Sequence, residues 1–215
     1  MTLRSLIDDV DASEYAIAVV GEDGPGPLAE LLESTFEAQS IDVERGVPDG
    51  APDTAVFDPD DGDLAVLLED TRMRLRGYPL AHREKLLLIL VSRYVEQLAW
   101  SADGGTLRTA FQRLSRLDDE LGTHEVYAKL ADSGVDALLY GADDGTTIDL
   151  EATVHTGERS AYRDGWFVVY RHDDRDAGDA AALVCLEVEH RVWEGFWTTD
   201  PARVAEVAVA ISRDL

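Results

Sequence analysis

Lysine is nearly missing from this chain. Of nineteen basic residues only Lys85 and Lys129 are lysine, against forty-four acids, and the formal charge is −25 over 215 residues. A surface so acidic and so poor in lysine stays hydrated in molar salt, where charge repulsion is screened within about 3 Å. The expectation is a cytoplasmic protein of a salt-accumulating halophile. The same shortage of cations argues against nucleic acid as a partner, because a duplex presents roughly one negative charge per 1.7 Å and has to be met by Lys and Arg. The alternating run Arg72, Arg74 and Arg76 is read as capping surface acids rather than gripping phosphate.

Other absences narrow the field. Cys185 is the only cysteine, which excludes an intramolecular disulfide and reads as a small buried hydrophobe. No apolar run approaches the roughly 18 residues that cross a bilayer. The opening MTLRSLIDDVDASEY carries acids where a signal peptide would be apolar, so a soluble, intracellular chain is expected. The five histidines, His82, His124, His155, His172 and His190, lack metal-ligand spacing. Asp58, Asp60, Asp61 and Asp63 lack the ligand spacing and distant Glu of a calcium loop. The glycine loop from Gly21 to Pro27 places Glu22 and Asp23 where a phosphate would sit, and no Gly-Lys-Ser/Thr follows. With no nucleophile elbow either, the expectation is no metal, no identifiable cofactor and no catalytic motif.

What is present points to an α/β fold. Apolar residues make up 45% of the chain, enough for a sizeable core. Leu3, Leu6, Ile7 and Val10 recur at helical spacing. A strand from Tyr15 to Val20, a helix from Leu28 to about Gln39, a short strand from Ile41 to Arg45 and a hairpin around Pro59 to Gly62 would build a first lobe. Its end is set at Gly77-Tyr78-Pro79. From Leu80 to Trp100 the pattern predicts a long helix, apolar on more than one face and therefore expected to be covered between lobes or in a homodimer. Thr106 to Asp119 reads as a second helix on Leu107, Ala110, Phe111, Leu114 and Leu117, and His124 to Ser133 as a third. Strands are predicted over Asp136 to Gly141 and Ile148 to His155. The organisation is thus a mixed β-sheet in two lobes joined by a long buried helix. The lobes would be residues 1–77 and 78–215, the second with helices over 80–133, sheet over 136–197 and a closing helix over 201–213.

The densest stretch is Trp166 to Asp200. WFVVYRHDD and AALVCLEVEH read as antiparallel strands, WEGFWTTDP follows, and Asp200 is a natural N-cap with Pro201 at the first helical position. Six of the chain's aromatics, Trp166, Phe167, Tyr170, Trp193, Phe196 and Trp197, fall here. A packed core, the wall of a ligand pocket and a partner-docking patch all fit such a concentration. Glu187 and Glu189 share one face of an otherwise apolar strand. They would serve as general base if the protein were an enzyme, or sit on a wet edge.

W-F-V-V-Y, an acidic glycine loop, A-A-L-x-x-x-E and G-F-W-T-x-D-P before a closing helix resemble the C-terminal half of the DICT domain, a sensory module of diguanylate cyclases and two-component systems. The resemblance extends over TLRTAFQRLSRL and VYAKLADSGVDALLYG, and more weakly to an N-terminal lobe of haloarchaeal members. It implies signal input: a small molecule or signalling partner bound through Trp166, Tyr170, Glu187, Trp193, Phe196, Trp197 and Asp200, with the occupied state relayed to a separate effector.

Overall fold

The computed structural model describes residues 1–10, 41–42, 47–48, 69–70, 72–76, 82–102, 104–119, 123–131, 133–173 and 180–215. In chain order the elements are α1 (Leu3–Asp8), β1 (Ile41–Asp42), β2 (Val47–Pro48), β3 (Met73–Arg76), α2 (His82–Ala102), β4 (Thr106–Arg113) and α3 (Arg116–Asp119). There follow α4 (Thr123–Ala131), β5 (Asp136–Ala142), β6 (Thr153–Thr156), α5 (Ser160–Asp164), β7 (Gly165–Arg171), β8 (Ala180–Glu189), β9 (Val192–Thr198) and α6 (Pro201–Asp214). The expected strand at Tyr15, the helix at Leu28, the hairpin at Pro59 and the break at Gly77 all lie outside the described residues.

Seven strands form one mixed sheet in the order β3-β9-β8-β7-β4-β5-β6, and β1 pairs with β2 separately. The β7-β8-β9 meander is antiparallel, whereas β4 runs parallel to β5 and β5 to β6. The fold is α/β, as the alternation of strand and helix signals implies. β4 is where the sheet changes character, with a parallel neighbour on one side and antiparallel β7 on the other.

Each face of the sheet has its own cover. On one, α1 and α6 bury Leu3, Leu6, Ile7, Val204, Val207 and Ile211 against Phe167, Val169, Val184 and Phe196. Each such side chain contributes about 1.5–3 kcal/mol of transfer free energy. α1 is short, and its start is held by a reciprocal cap in which Thr2 Oγ1 accepts from Ser5 N at 3.1 Å and Ser5 Oγ accepts from Thr2 N at 2.7 Å. On the other face, α2 and α4 press Val95, Ala99, Tyr127 and Leu130 onto Leu107, Leu139, Val168, Tyr170 and Ala181. The buried stripe Leu88, Val91, Val95, Ala99 recurs at spacings of three and four along α2, while Trp100 is exposed. Among the described residues, no helix is long and apolar enough to cross a membrane.

The helix expected over Thr106 to Asp119 is a strand followed by a single helical turn. β4 lies between β5 and β7, and its register shifts between Ala110 and Arg113. That bulge brings Leu107, Ala110 and Phe111 to helix-like spacing in the sequence although the backbone is extended. Two threonines and a phenylalanine favour the strand. The strand expected over Ile148 to His155 is confined to β6.

The arginine run sits at the sheet edge. Arg74 pairs with Glu189 and, at 3.3 Å, with Glu194, and Arg72 lies 3.8 Å from Asp8. These arginines neutralise local acids, as their alternation with Met73 and Leu75 implies. Gly195 lies opposite Cys185 in the β8-β9 register, and a Cβ there would run into the Val184 carbonyl and the Cys185 sulfur.

Candidate functional site

The described polar groups converge beyond the carboxyl end of β4, where α2 crosses the sheet. In α/β sheets the ends of strands at a change of direction are where side chains project into a crevice. Here Ser92, Arg93 and Glu96 descend from α2, Thr109 and Gln112 rise from β4, Arg116 and Thr123 stand at the first positions of α3 and α4, and the Trp166 ring forms one wall. The pocket has a volume of about 40 Å³.

The groups around it are held by one another. Glu96 is 4% exposed, and its Oε2 accepts from Arg93 Nη1 at 2.7 Å. Its Oε1 accepts from the Tyr127 hydroxyl at 3.0 Å, while that hydroxyl takes a bond from Thr109 at 2.6 Å. Arg93 Nη2 donates to Thr123 Oγ1 at 2.8 Å. Burial, reinforced by the Glu96 charge, holds the Tyr127 phenol well above its ordinary pKa, so it remains a proton donor. Trp166 Nε1 donates to Ser92 Oγ at 3.1 Å, and Ser92 Oγ donates to the Leu88 carbonyl at 2.7 Å. The wall is therefore fixed from both sides.

A second chain of bonds leads outward. Arg116 donates to the Gln112 side-chain oxygen, and Gln112 Nε2 donates to Glu187 Oε2 at 2.8 Å. Glu187 Oε1 accepts from the Arg191 backbone N–H at 2.6 Å. Gln112 and Arg191 both have φ of 61°, the left-handed region that costs a non-glycine residue about 1–2 kcal/mol. Two strained positions thus serve one carboxylate. Glu187 also lines a wider groove with Asp164, Arg159 and Asp214, and there burial and then the Glu187 charge raise the Asp164 carboxyl.

The seven residues expected to form a site divide between the two ends of the sheet. Trp166 and Trp193 meet edge to face with centroids 6.0 Å apart, and Glu187 pairs with Trp193 in register. Trp193 is 5% exposed, and its Nε1 has no hydrogen-bond partner among the described residues. The others lie elsewhere. The Tyr170 hydroxyl donates to the Gly104 carbonyl at 2.8 Å, at the opposite end of β7. Trp197 is buried edge-on against Tyr94, at 6.2 Å. Phe196 packs beneath α6, with the Arg203 guanidinium 5.7 Å from its centroid. Asp200 caps α6, accepting from Ala202 N at 2.9 Å. Glu189 is turned outward to Arg74. Cys185 is buried, which raises its thiol pKa.

Sequence reasoning missed Ser92, Arg93, Glu96, Gln112, Arg116 and Tyr127. The available signal was Ser92, Arg93 and Glu96 breaking the apolar run of the long helix at spacings of three and four, which puts them on one side. Gln112 and Arg116 carried none, since their placement follows from the bulge. Among the described residues no group of three metal-ligating side chains is found.

No family profile matches the chain, and no curated protein matches it either. Among solved structures, polyphosphate kinase from Porphyromonas gingivalis is similar at a TM-score of 0.42 and 12% identity, over 73% of this chain and 26% of that one. The chain thus spans about a quarter of that protein's length.

Proposed function

We propose that this chain is a signal-input domain of the DICT type, acting in the cytoplasm of a halophile. It would bind a small molecule in the pocket beside Trp166 and relay occupancy to a separate effector. The observation that carries the reading is the gathering of buried polar side chains and one aromatic wall at a single pocket in a sheet otherwise filled with apolar residues. A purely structural core has no need of an internal ion pair there, since replacing such pairs with apolar residues is often neutral or stabilising. The resemblance of the β7 to α6 stretch to that family supports the sensory reading. The chain Arg116-Gln112-Glu187 supplies a route by which an occupied pocket would alter the outer groove, where an effector would read it.

Enzymatic use of Glu187 as a general base fits less well, because both its oxygens already accept hydrogen bonds, from Gln112 and from Arg191. The test is the absorption and mass spectrum of protein purified in molar salt. A small molecule retained by the native chain and lost on Trp166→Ala is the expected result. A stoichiometrically empty protein that also fails to take up any compound from a metabolite panel would end the reading.

A further inference from the structure

Three polar side chains from adjacent strands gather on the sheet face opposite the Trp166 pocket. Arg108 of β4 shares its face with Ala110, Ala110 lies across from Tyr140 of β5, and Tyr140 lies across from His155 of β6. Ala110 and Tyr140 belong to the core that α1 and α6 cover. The His155 ring stacks on Tyr140, with centroids 4.7 Å apart and planes 10° from parallel. The Arg108 guanidinium lies beside the Tyr140 hydroxyl and donates to it. Burial raises that phenol's pKa, and the Arg108 charge holds the rise back.

The cluster is short of acceptors. Arg108 Nε and Nη1 and His155 Nε2 are hidden from solvent and have no hydrogen-bond partner among the described residues, where they make up three of the four side-chain atoms of this kind. An unmet buried polar group costs about 1–3 kcal/mol, and more when it is charged. Every residue of β4, β5 and β7 is described. Thr106, Ala110, Leu138 and Val169, the neighbours of Arg108 on its own face, are uncharged, and Asp136, one diagonal step away on β5, is exposed.

What meets these atoms follows from their chemistry. A guanidinium carries donors and no acceptor, and imidazole Nε2 donates in its N–H form, so the complement is a group with several acceptors. A partly buried cation favours one that also carries negative charge. Carboxylate and phosphate share that character. We propose that Arg108, with His155 and Tyr140, holds an oxyanion beside the edge strand β6. The site is separate from the Trp166 pocket and independent of what that pocket binds. An anion held there ties β6, which pairs with β5 alone, to β4 in the interior of the sheet.

The experiment uses the full chain labelled with nitrogen-15 at histidine, titrated separately with potassium phosphate, potassium acetate and acetamide. Constant pH and molar potassium chloride make any response a preference over chloride. His155→Gln assigns the His155 ring signal, and the other four histidines report whether each variant is folded. At least one of the two anions is expected to shift the His155 signal saturably, and which of them does so names the source of the oxyanion. Arg108→Gln should weaken the response by about 10- to 100-fold, the worth of a hydrogen bond to a charged group. Arg108→Lys, which keeps the charge and loses the fork, should fall between. Arg108→Met, of similar length and without donors to satisfy, is the second variant. It should lose the parent's anion-dependent rise in melting temperature. A response that survives Arg108→Gln, an equal response to acetamide, or an equal melting rise in Arg108→Met overturns the assignment. Silence towards both anions in the folded parent overturns it too, and leaves those nitrogens to water.

Discussion

Gln112 and Glu187 lie 75 residues apart and are joined by a 2.8 Å hydrogen bond across the end of the sheet. Gln112 adopts a left-handed backbone at the bulge of β4 in making it. Its amide is used from both ends, accepting from Arg116 and donating to Glu187.

This strain is measurable. Gln112→Ala keeps the unfavourable φ and loses both bonds, so a loss of about 1–3 kcal/mol is expected in denaturant unfolding in molar salt. Gln112→Gly loses the same bonds but not the steric cost, and should recover about 1 kcal/mol. Equal losses would mean that the bulge is relaxed.

The Glu96, Tyr127 and Thr109 cluster makes a second prediction. Tyr127→Phe removes the donor to Glu96 and leaves a buried carboxylate oxygen short of one bond. A destabilisation of about 1–3 kcal/mol follows. Phe111→Leu, a change at a ring packed edge-on to Tyr127 at 5.3 Å, serves as the apolar comparison and should leave the ion pair intact. Thermal unfolding of both variants checks this.

Asp164 gives the pH dependence its sign. Burial, and next the Glu187 charge, raise its carboxyl above the ordinary 3.8. An acid whose folded pKa exceeds its unfolded one opposes folding once ionised. The penalty is absent below 3.8, develops as pH rises through the folded value, and is complete at neutral pH. Asp164→Asn should therefore melt higher than the parent at pH 7, with the gap closing as pH falls. A constant gap across pH would assign the effect to packing instead.

Gly195 tests the β8-β9 contact. Gly195→Ala sets a methyl against the Val184 carbonyl and Cys185, and overpacking of this kind costs about 1–3 kcal/mol. It should also expose Cys185, which is 1% accessible in the folded chain. Labelling by a thiol reagent is expected to be slow in the parent and faster in the variant.

Much of this arrangement was written locally. The β7-β8 pair and α6 followed from β-branched and aromatic runs, from an acidic glycine turn and from the Asp200-Pro201 start, all read from neighbouring residues, whereas β9 was not read as a strand of its own. β4 was read as a helix because a strand covered on both faces loses its polar alternation, and its bulge then supplies a misleading spacing of three and four. The site was less legible for the same reason. Trp166, Trp193 and Glu187, named among the expected ligand contacts, lie side by side because strand pairing brings them together. Tyr170, Phe196, Trp197 and Asp200 were grouped with them by sequence proximity, yet an antiparallel meander sends the ends of one strand to opposite rims. Arg116 has no local signature, because its place beside Gln112 follows from the bulge that ends β4.

The clasp between α1 and α6 has a practical side. Leu3 N donates to Asp214 Oδ2 at 3.1 Å, and the Arg213 side chain reaches the Met1 carbonyl. Residues at the two extremes of the numbering therefore touch. A donor and acceptor dye pair attached at those extremes would stay at maximal transfer until the clasp opened, giving an optical gauge of α1 docking that is independent of the pocket.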